Sequence, residues 1–176
     1  MGFLCEKECV RIKQEFYLYI QGEIHMMKIL FAASEAVPFI KKGGLADVVG
    51  SLPKYFDQKK YDVRVMVPKY LCIRPELREK MKFVDKFYVK MNWRTQYVGI
   101  DEMEFDGVKY YFIDNEYYFA GPKPYGEMYQ DSEKFAYFSR AVLEALPVIG
   151  FQPVIIPFTL CCYENMPQQA LLSQWQ

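Results

Sequence analysis

The residues of this chain best suited to chemistry stand together in "FIKKGGLADVV", Phe39 to Val49. Lys41 and Lys42 carry two full positive charges, and Gly43 and Gly44 follow at once. Glycine lets a backbone come close to a ligand. A helix starting here has N–H groups without intrahelical partners, and its dipole places partial positive charge at the same end. Together these features make an anion site, of the kind open α/β sheets present at the carboxyl ends of their strands. A tight turn without a ligand would use the same residues equally well. The spacing is neither G-x-G-x-x-G nor a Walker loop, because the lysines precede the glycines and no Ser or Thr follows a Gly-Lys pair. An ordinary NAD or ATP site is therefore not favoured.

The elements that must position this corner are legible around it. "KILFAA", from Lys28, is a short continuous apolar run, the pattern of a strand buried on both faces. Beyond the glycines, Leu45, Val48, Val49, Leu52 and Phe56 recur at helical spacing and define an expected buried face, with Pro53 bending or ending the helix. "DVRVMVP", Asp62 to Pro68, reads as the next strand, which makes a βαβ unit with parallel strands. "FVDKFYVKMNW", "QYVGIDEMEF" and "VKYYFID" are β-rich, and Asp106-Gly107 between the last two is a hairpin turn. Asp131 is expected to cap a helix whose apolar face is Phe135, Phe138, Val142 and Leu146, ended by Pro147 and Gly150. Pro153 to Ile156 starts another buried strand. The whole reads as α/β, a Rossmann-like open parallel sheet with a β-rich insertion.

Composition excludes several classes. Lys plus Arg and Asp plus Glu both number 22, so no basic excess is available for a nucleic-acid backbone or an anionic membrane. No run is long and apolar enough to span a bilayer; Ala141 to Cys162 is interrupted by Glu144, Gln152 and prolines. Cys5, Cys9, Cys72, Cys161 and Cys162 are odd in number and follow no secretory leader, which suits reduced thiols in the cytoplasm. With His25 the only histidine, the Cys5–Cys9 spacing does not build a zinc site, and no metal or cofactor is expected. Residues 1–26 lack strong periodicity and read as an extension outside the fold, translated from an upstream start, with an ordinary N-terminal helix as the alternative.

The stretch "MKILFAASEAVPFIKKGGLADVVGSLPKYF" closely resembles the N-terminal segment of bacterial glycogen synthases and plant starch synthases, whose signature is Lys-x-Gly-Gly-Leu-Ala/Gly-Asp-Val. "FIDNEYYF" and "YGEMYQDSEKFAYFSRAVLEAL" resemble the same family, in the same order. The resemblance covers about Met27 to Ile156. It implies the first domain of a GT-B glycosyltransferase, truncated, in which glucose passes from ADP-glucose to the non-reducing end of an α-1,4-glucan, with retention and without an essential metal. It implies that Lys41 contacts ADP-glucose and that the backbone at Gly43 and Gly44 lines the cleft. Asp47 matches the motif aspartate, with a place in the helix's first turn as an equal alternative to a substrate role. Glu35 falls on the family's Ser-Glu pair, and Lys42 stands where Thr is usual.

After Ile156 the family continues with His-x-x-Asp-Trp, whereas this chain reads "PFTLCCYENMPQQALLSQWQ". Residues 157–176 are therefore expected to be an atypical tail, the product of a frameshift, a split gene or a fragment. The expectation is an inactive piece of a glucosyltransferase that self-associates through its shortened sheet. The alternatives are a non-catalytic module binding a glucan or a partner, and a remnant without function. The aromatic run Tyr110, Tyr111, Phe112, Tyr117, Tyr118 and Phe119 could stack on a glucan, but strand alternation explains most of it as packing.

Overall fold

The computed structural model describes residues 26–91 and 93–159. The expectations for residues 1–25, for the tail beyond residue 159, for His25 and for every cysteine except Cys72 lie outside the described residues.

Among the described residues six strands form one sheet, β1 (Met27–Ala33), β2 (Tyr61–Pro68), β3 (Lys82–Met91), β4 (Arg94–Phe105), β5 (Val108–Asp114) and β6 (Phe158–Thr159), in the order β3-β4-β5-β2-β1-β6. The helices among them are α1 (Gly44–Ser51), α2 (Pro75–Arg78), α3 (Glu116–Phe119) and α4 (Met128–Val148). As the apolar run requires, β1 lies inside the sheet, parallel to β2 on one side and β6 on the other, and all but Lys28 of it is buried. β5 is also parallel to β2, so β1, β2, β5 and β6 all end at one edge. β3 and β4 run antiparallel beside β5. The expected β-rich segment extends the same sheet with antiparallel strands. Asp106 and Gly107 both take positive φ, 50° and 75°, the backbone that a two-residue hairpin turn demands.

Side chains alternate across β5 and bring packing to both faces. Phe39 meets Tyr110 and Phe112 edge-on, each with ring centroids 4.9 Å apart. Tyr111, from the other face, hydrogen-bonds Arg64, whose guanidinium lies 4.0 Å from the centre of the Phe151 ring beyond α4. The buried α4 face contains Phe135, Phe138, Ala141, Val142 and Ala145, while Leu146 is half-buried.

Five local expectations are corrected. α1 ends at Ser51 and a 3-10 turn takes over from Leu52 to Tyr55 around Pro53, so Phe56 is not on the helix. Its buried side is Ala46, Val49 and Gly50, while Val48 is 55% and Leu52 41% exposed. The helix is drawn to that side by Gly50, where a methyl group would stand 2.3 Å from Val37 Cγ2 and 2.5 Å from the Val37 carbonyl oxygen. α4 begins at Met128, with Glu127 at its N-cap, so Asp131 lies inside the first turn and is not the cap. The helix also runs through Pro147 to Val148 before Gly150 turns the chain at φ 61°. Finally, the segment after α4 pairs beside β1 through Ile155 and then Phe158–Thr159, but Ile155 is 44% exposed and not buried.

Two expected outcomes follow from this packing. Gly50→Ala should destabilise the fold by about 1–3 kcal/mol through overpacking, although alanine normally favours a helix interior. Urea unfolding measures this, and unchanged stability would mean that α1 does not approach Val37 so closely. The second concerns Tyr110, which is fully buried, with no hydrogen-bond partner for its hydroxyl among the described residues. Burial first, and the Asp106 charge second, push its pKa from 10.0 up to about 12. The folded state holds this proton more tightly than the unfolded chain. The stability it contributes is therefore complete below about pH 10 and drains away as pH rises towards about 12. Tyr110→Phe should flatten the alkaline loss of stability over that window without weakening the fold at neutral pH. An unchanged alkaline slope would contradict this.

Candidate functional site

β1 delivers the chain to the carboxyl edge of the sheet at Ser34 and Glu35, both fully buried. The chain then loops through Ala36–Ile40, where Phe39 and Ile40 both donate to the Ala36 carbonyl, and returns to start α1. This fold-back puts Glu35 under the Lys-Lys-Gly-Gly corner. Its Oε2 accepts the N–H of Lys42 at 2.5 Å and of Gly43 at 3.1 Å. Tyr125, on the loop before α4, donates its hydroxyl to Glu35 Oε1 at 3.2 Å and hydrogen-bonds the Ser34 hydroxyl at 2.7 Å. A carboxylate removed from water is stable only when several donors face it, and here two backbone donors and a phenol do so.

Gly43 is the N-cap of α1, in extended conformation, and no side chain caps the helix. Of the four N–H groups that a helix start leaves without intrahelical partners, Glu35 takes that of Gly43. Those of Gly44, Leu45 and Ala46 have no intrahelical partner either, and the positive end of the dipole lies at this same end, where Gly44 is exposed and Ala46 is buried. A methyl group placed on Gly44 would meet nothing within 4 Å, and one on Gly43 only the Glu35 carboxylate at 3.8 Å. Packing among the described residues therefore does not demand glycine at either position. What the missing side chains leave is bare backbone at the helix start.

Lys41 and Asp47 meet at 2.7 Å, with side chains 54% and 52% exposed. So open an ion pair contributes about 0–1 kcal/mol, and an incoming anion can displace Asp47 from Lys41 at little cost. The structure brings the predicted Lys41, Gly43, Gly44 and Asp47 together, and it places Asp47 in the first turn of α1. Lys42 is exposed, and its backbone, held by Glu35, contributes to the corner.

The sequence offered no sign of Tyr125 or of the brace that holds its loop. Asp131 accepts the Gly126 N–H at 2.8 Å, and Lys134 bonds both Asp131 and the Pro124 carbonyl, at 2.5 and 2.6 Å. Farther along the edge, Lys69 sits between Asp101 and Asp114 and ties the end of β2 to β4 and β5. Burial pulls the Lys69 pKa down, but its hydrogen bonds to the two carboxylates outweigh this and leave it above the usual lysine value. Among the described residues no group of His, Cys, Asp and Glu could hold a metal ion, and no helix is long and apolar enough to cross a membrane.

Comparison with known proteins returns one consistent pattern. The sequence profile of the starch synthase catalytic domain matches residues 28–158. Over 131 residues the chain is 64% identical to a glycogen synthase of Lachnospira eligens, covering 74% of this chain and 27% of that protein. It is 58% identical over 130 residues to a glycogen synthase of Geobacillus thermodenitrificans, with the same coverage. The solved catalytic domain of starch synthase IV from Arabidopsis thaliana, bound to ADP and acarbose, superposes with a TM-score of 0.61 at 29% identity, covering 75% of this chain and 27% of that one. The chain thus spans about a quarter of the length of the relatives it matches.

Proposed function

From its membership of the starch synthase catalytic-domain family, we propose that this chain forms the donor-binding side of a glucosyltransferase site, in which glucose passes from ADP-glucose to an α-1,4-glucan with retention and without a metal. The observation that carries this reading is the corner itself, where exposed Lys41 stands beside the bare glycine start of α1 at the carboxyl edge of β1. In the proposed reaction the diphosphate gains charge as the glucosyl bond breaks. Lys41 releases Asp47 and neutralises that charge, while the helix N–H groups donate to phosphate oxygens. Glu35 works through others: by fixing the Lys42 and Gly43 N–H groups it aims the start of α1 before any ligand arrives. Asp47 keeps the Lys41 charge in place between turnovers. The ADP and acarbose bound to the Arabidopsis relative support a nucleotide-sugar donor and a glucan acceptor, and a cytoplasmic setting suits both.

Titrating the full chain with ADP, read by the backbone amide signals, tests the reading. One charge and a few N–H groups at an open edge give affinity of about 1 mM or weaker. The signals of Gly44 and Leu45 should shift first, and Lys41→Ala should abolish saturation. Shifts confined to other parts of the chain would reject the corner as the donor site.

A further inference from the structure

We propose that Trp93, Arg94 and Tyr117 form a surface platform that holds a neutral glucan chain, separate from the Lys41 corner. The aromatic run noted in the sequence is divided by the fold. Tyr110, Tyr111, Phe112 and Phe119 are buried and unavailable, whereas Tyr117 is 68% exposed. It is joined there by Trp93, 82% exposed, from the turn that leads into β4. Between them, the Arg94 guanidinium lies 5.4 Å from the centre of the Trp93 ring and 5.3 Å from that of Tyr117. Arg94 also donates to the Tyr117 hydroxyl at 3.1 Å.

Contacts among β4, α3 and α4 hold Arg94 in this arrangement. Arg94, the first residue of β4, pairs with Glu133 of α4. Tyr118 of α3 donates to the same carboxylate at 2.8 Å, and its ring stacks on buried Tyr137 at 4.4 Å. Tyr129, also strongly exposed, stands one turn before Glu133 on the same face of α4. Tyr117 is thus held through Arg94 and Tyr118, and both Trp93 and Tyr117 leave most of their surface to solvent, although large aromatics usually find cover.

The chemistry selects the ligand class. Arg94 and Glu133 cancel each other's charge, so the platform offers no field to attract a phosphate or an acidic peptide. Flat apolar faces beside a guanidinium, a phenol and a carboxylate suit a polyhydroxylated ring, whose C–H face stacks while its hydroxyls hydrogen-bond. The choice of an α-glucan among such ligands rests on the function proposed above, whereas the platform rests on its own geometry. It lies at the carboxyl edge of β5, the same edge of the sheet as the corner, where it would keep a long acceptor chain close to the site.

Native electrophoresis of the full chain, in gels with and without glycogen, tests the platform. The unaltered chain and Lys41→Ala should both be retarded by glycogen. The double variant Trp93→Ala/Tyr117→Ala should lose that retardation, with the dissociation constant raised tenfold or more, roughly the effect of losing one stacking contact. Trp93→Phe, which keeps a ring, should retain most of it. Absence of retardation in the unaltered chain, or its persistence in the double variant, overturns the proposal. Self-association in sedimentation runs that the double variant abolishes, without any glycogen effect, overturns it in favour of a contact between copies of this chain. Amide shifts with ADP that survive in the double variant but vanish in Lys41→Ala separate the two sites; ADP shifts that persist in Lys41→Ala count against the corner alone.

Discussion

The 176-residue chain assayed alone is expected to transfer no measurable glucose from ADP-glucose to glycogen. The region that matches the relatives is 27% of their length, and the contacts proposed above for a nucleotide sugar are one lysine and the start of one helix. Catalysis needs interactions that strengthen in the transition state, and an open edge supplies too few to hold the reacting groups in place. Activity should return when residues 28–158 replace the matching segment of the Lachnospira eligens glycogen synthase, because 64% identity over 131 residues keeps the junctions compatible. Incorporation of labelled glucose into glycogen measures both halves of the prediction. Robust turnover by the chain alone would contradict the view that it is one side of a site. A folded but inactive chimera would mean that this segment does not carry the donor-binding function.

Glu35→Ala should have the next largest effect. Its carboxylate is fully buried and accepts two backbone N–H groups and the Tyr125 hydroxyl. Bonds to a charged acceptor contribute about 1.5–3 kcal/mol each, and water entering at the exposed corner recovers part of the loss. A net destabilisation of about 2–4 kcal/mol is expected by urea unfolding. The Lys42 and Gly43 amide signals should move, and the ADP-induced shifts at Gly44 should weaken with them. Glu35→Gln keeps an oxygen that accepts the same N–H groups, so it should lose less stability and preserve the shape of the corner. If Glu35→Ala left both the unfolding midpoint and the ADP shifts unchanged, the aiming role of Glu35 would fail.

Which of these features could be read from the sequence depends on how local their causes are. β1 and the corner were legible because an unbroken apolar run and a glycine pair act within a few residues of themselves. The hairpin at Asp106-Gly107 was legible for the same reason. The buried side of α1 was not. Periodicity says which residues share a face, but the close approach of Gly50 to Val37 decides which face turns inward. By sequence alone Asp131 reads as a cap, because an aspartate before an apolar helix face fits either place. Only the loop N–H of Gly126, held in position by the fold, selects the first turn. The Glu35 cluster needed contacts at two ranges, the Gly43 N–H eight residues away and the Tyr125 hydroxyl ninety residues away. A Ser-Glu pair after a strand hints at the first, and nothing in the sequence points to the second. The aromatic run was ambiguous for a related reason, since only the course of the chain separates buried Tyr110 from exposed Tyr117.

Lys41 stands at the centre of the proposed function, and its substitution in the active chimera tests that role most directly. Lys41 is half-exposed and its ion pair with Asp47 is weak. Lys41→Ala should therefore leave the thermal midpoint of the chimera nearly unchanged. Its kcat/KM for ADP-glucose should fall by roughly 10²–10³, the usual cost of removing one group that stabilises developing charge. A chimera that keeps full activity with alanine at position 41 would contradict the assignment of the corner to the diphosphate.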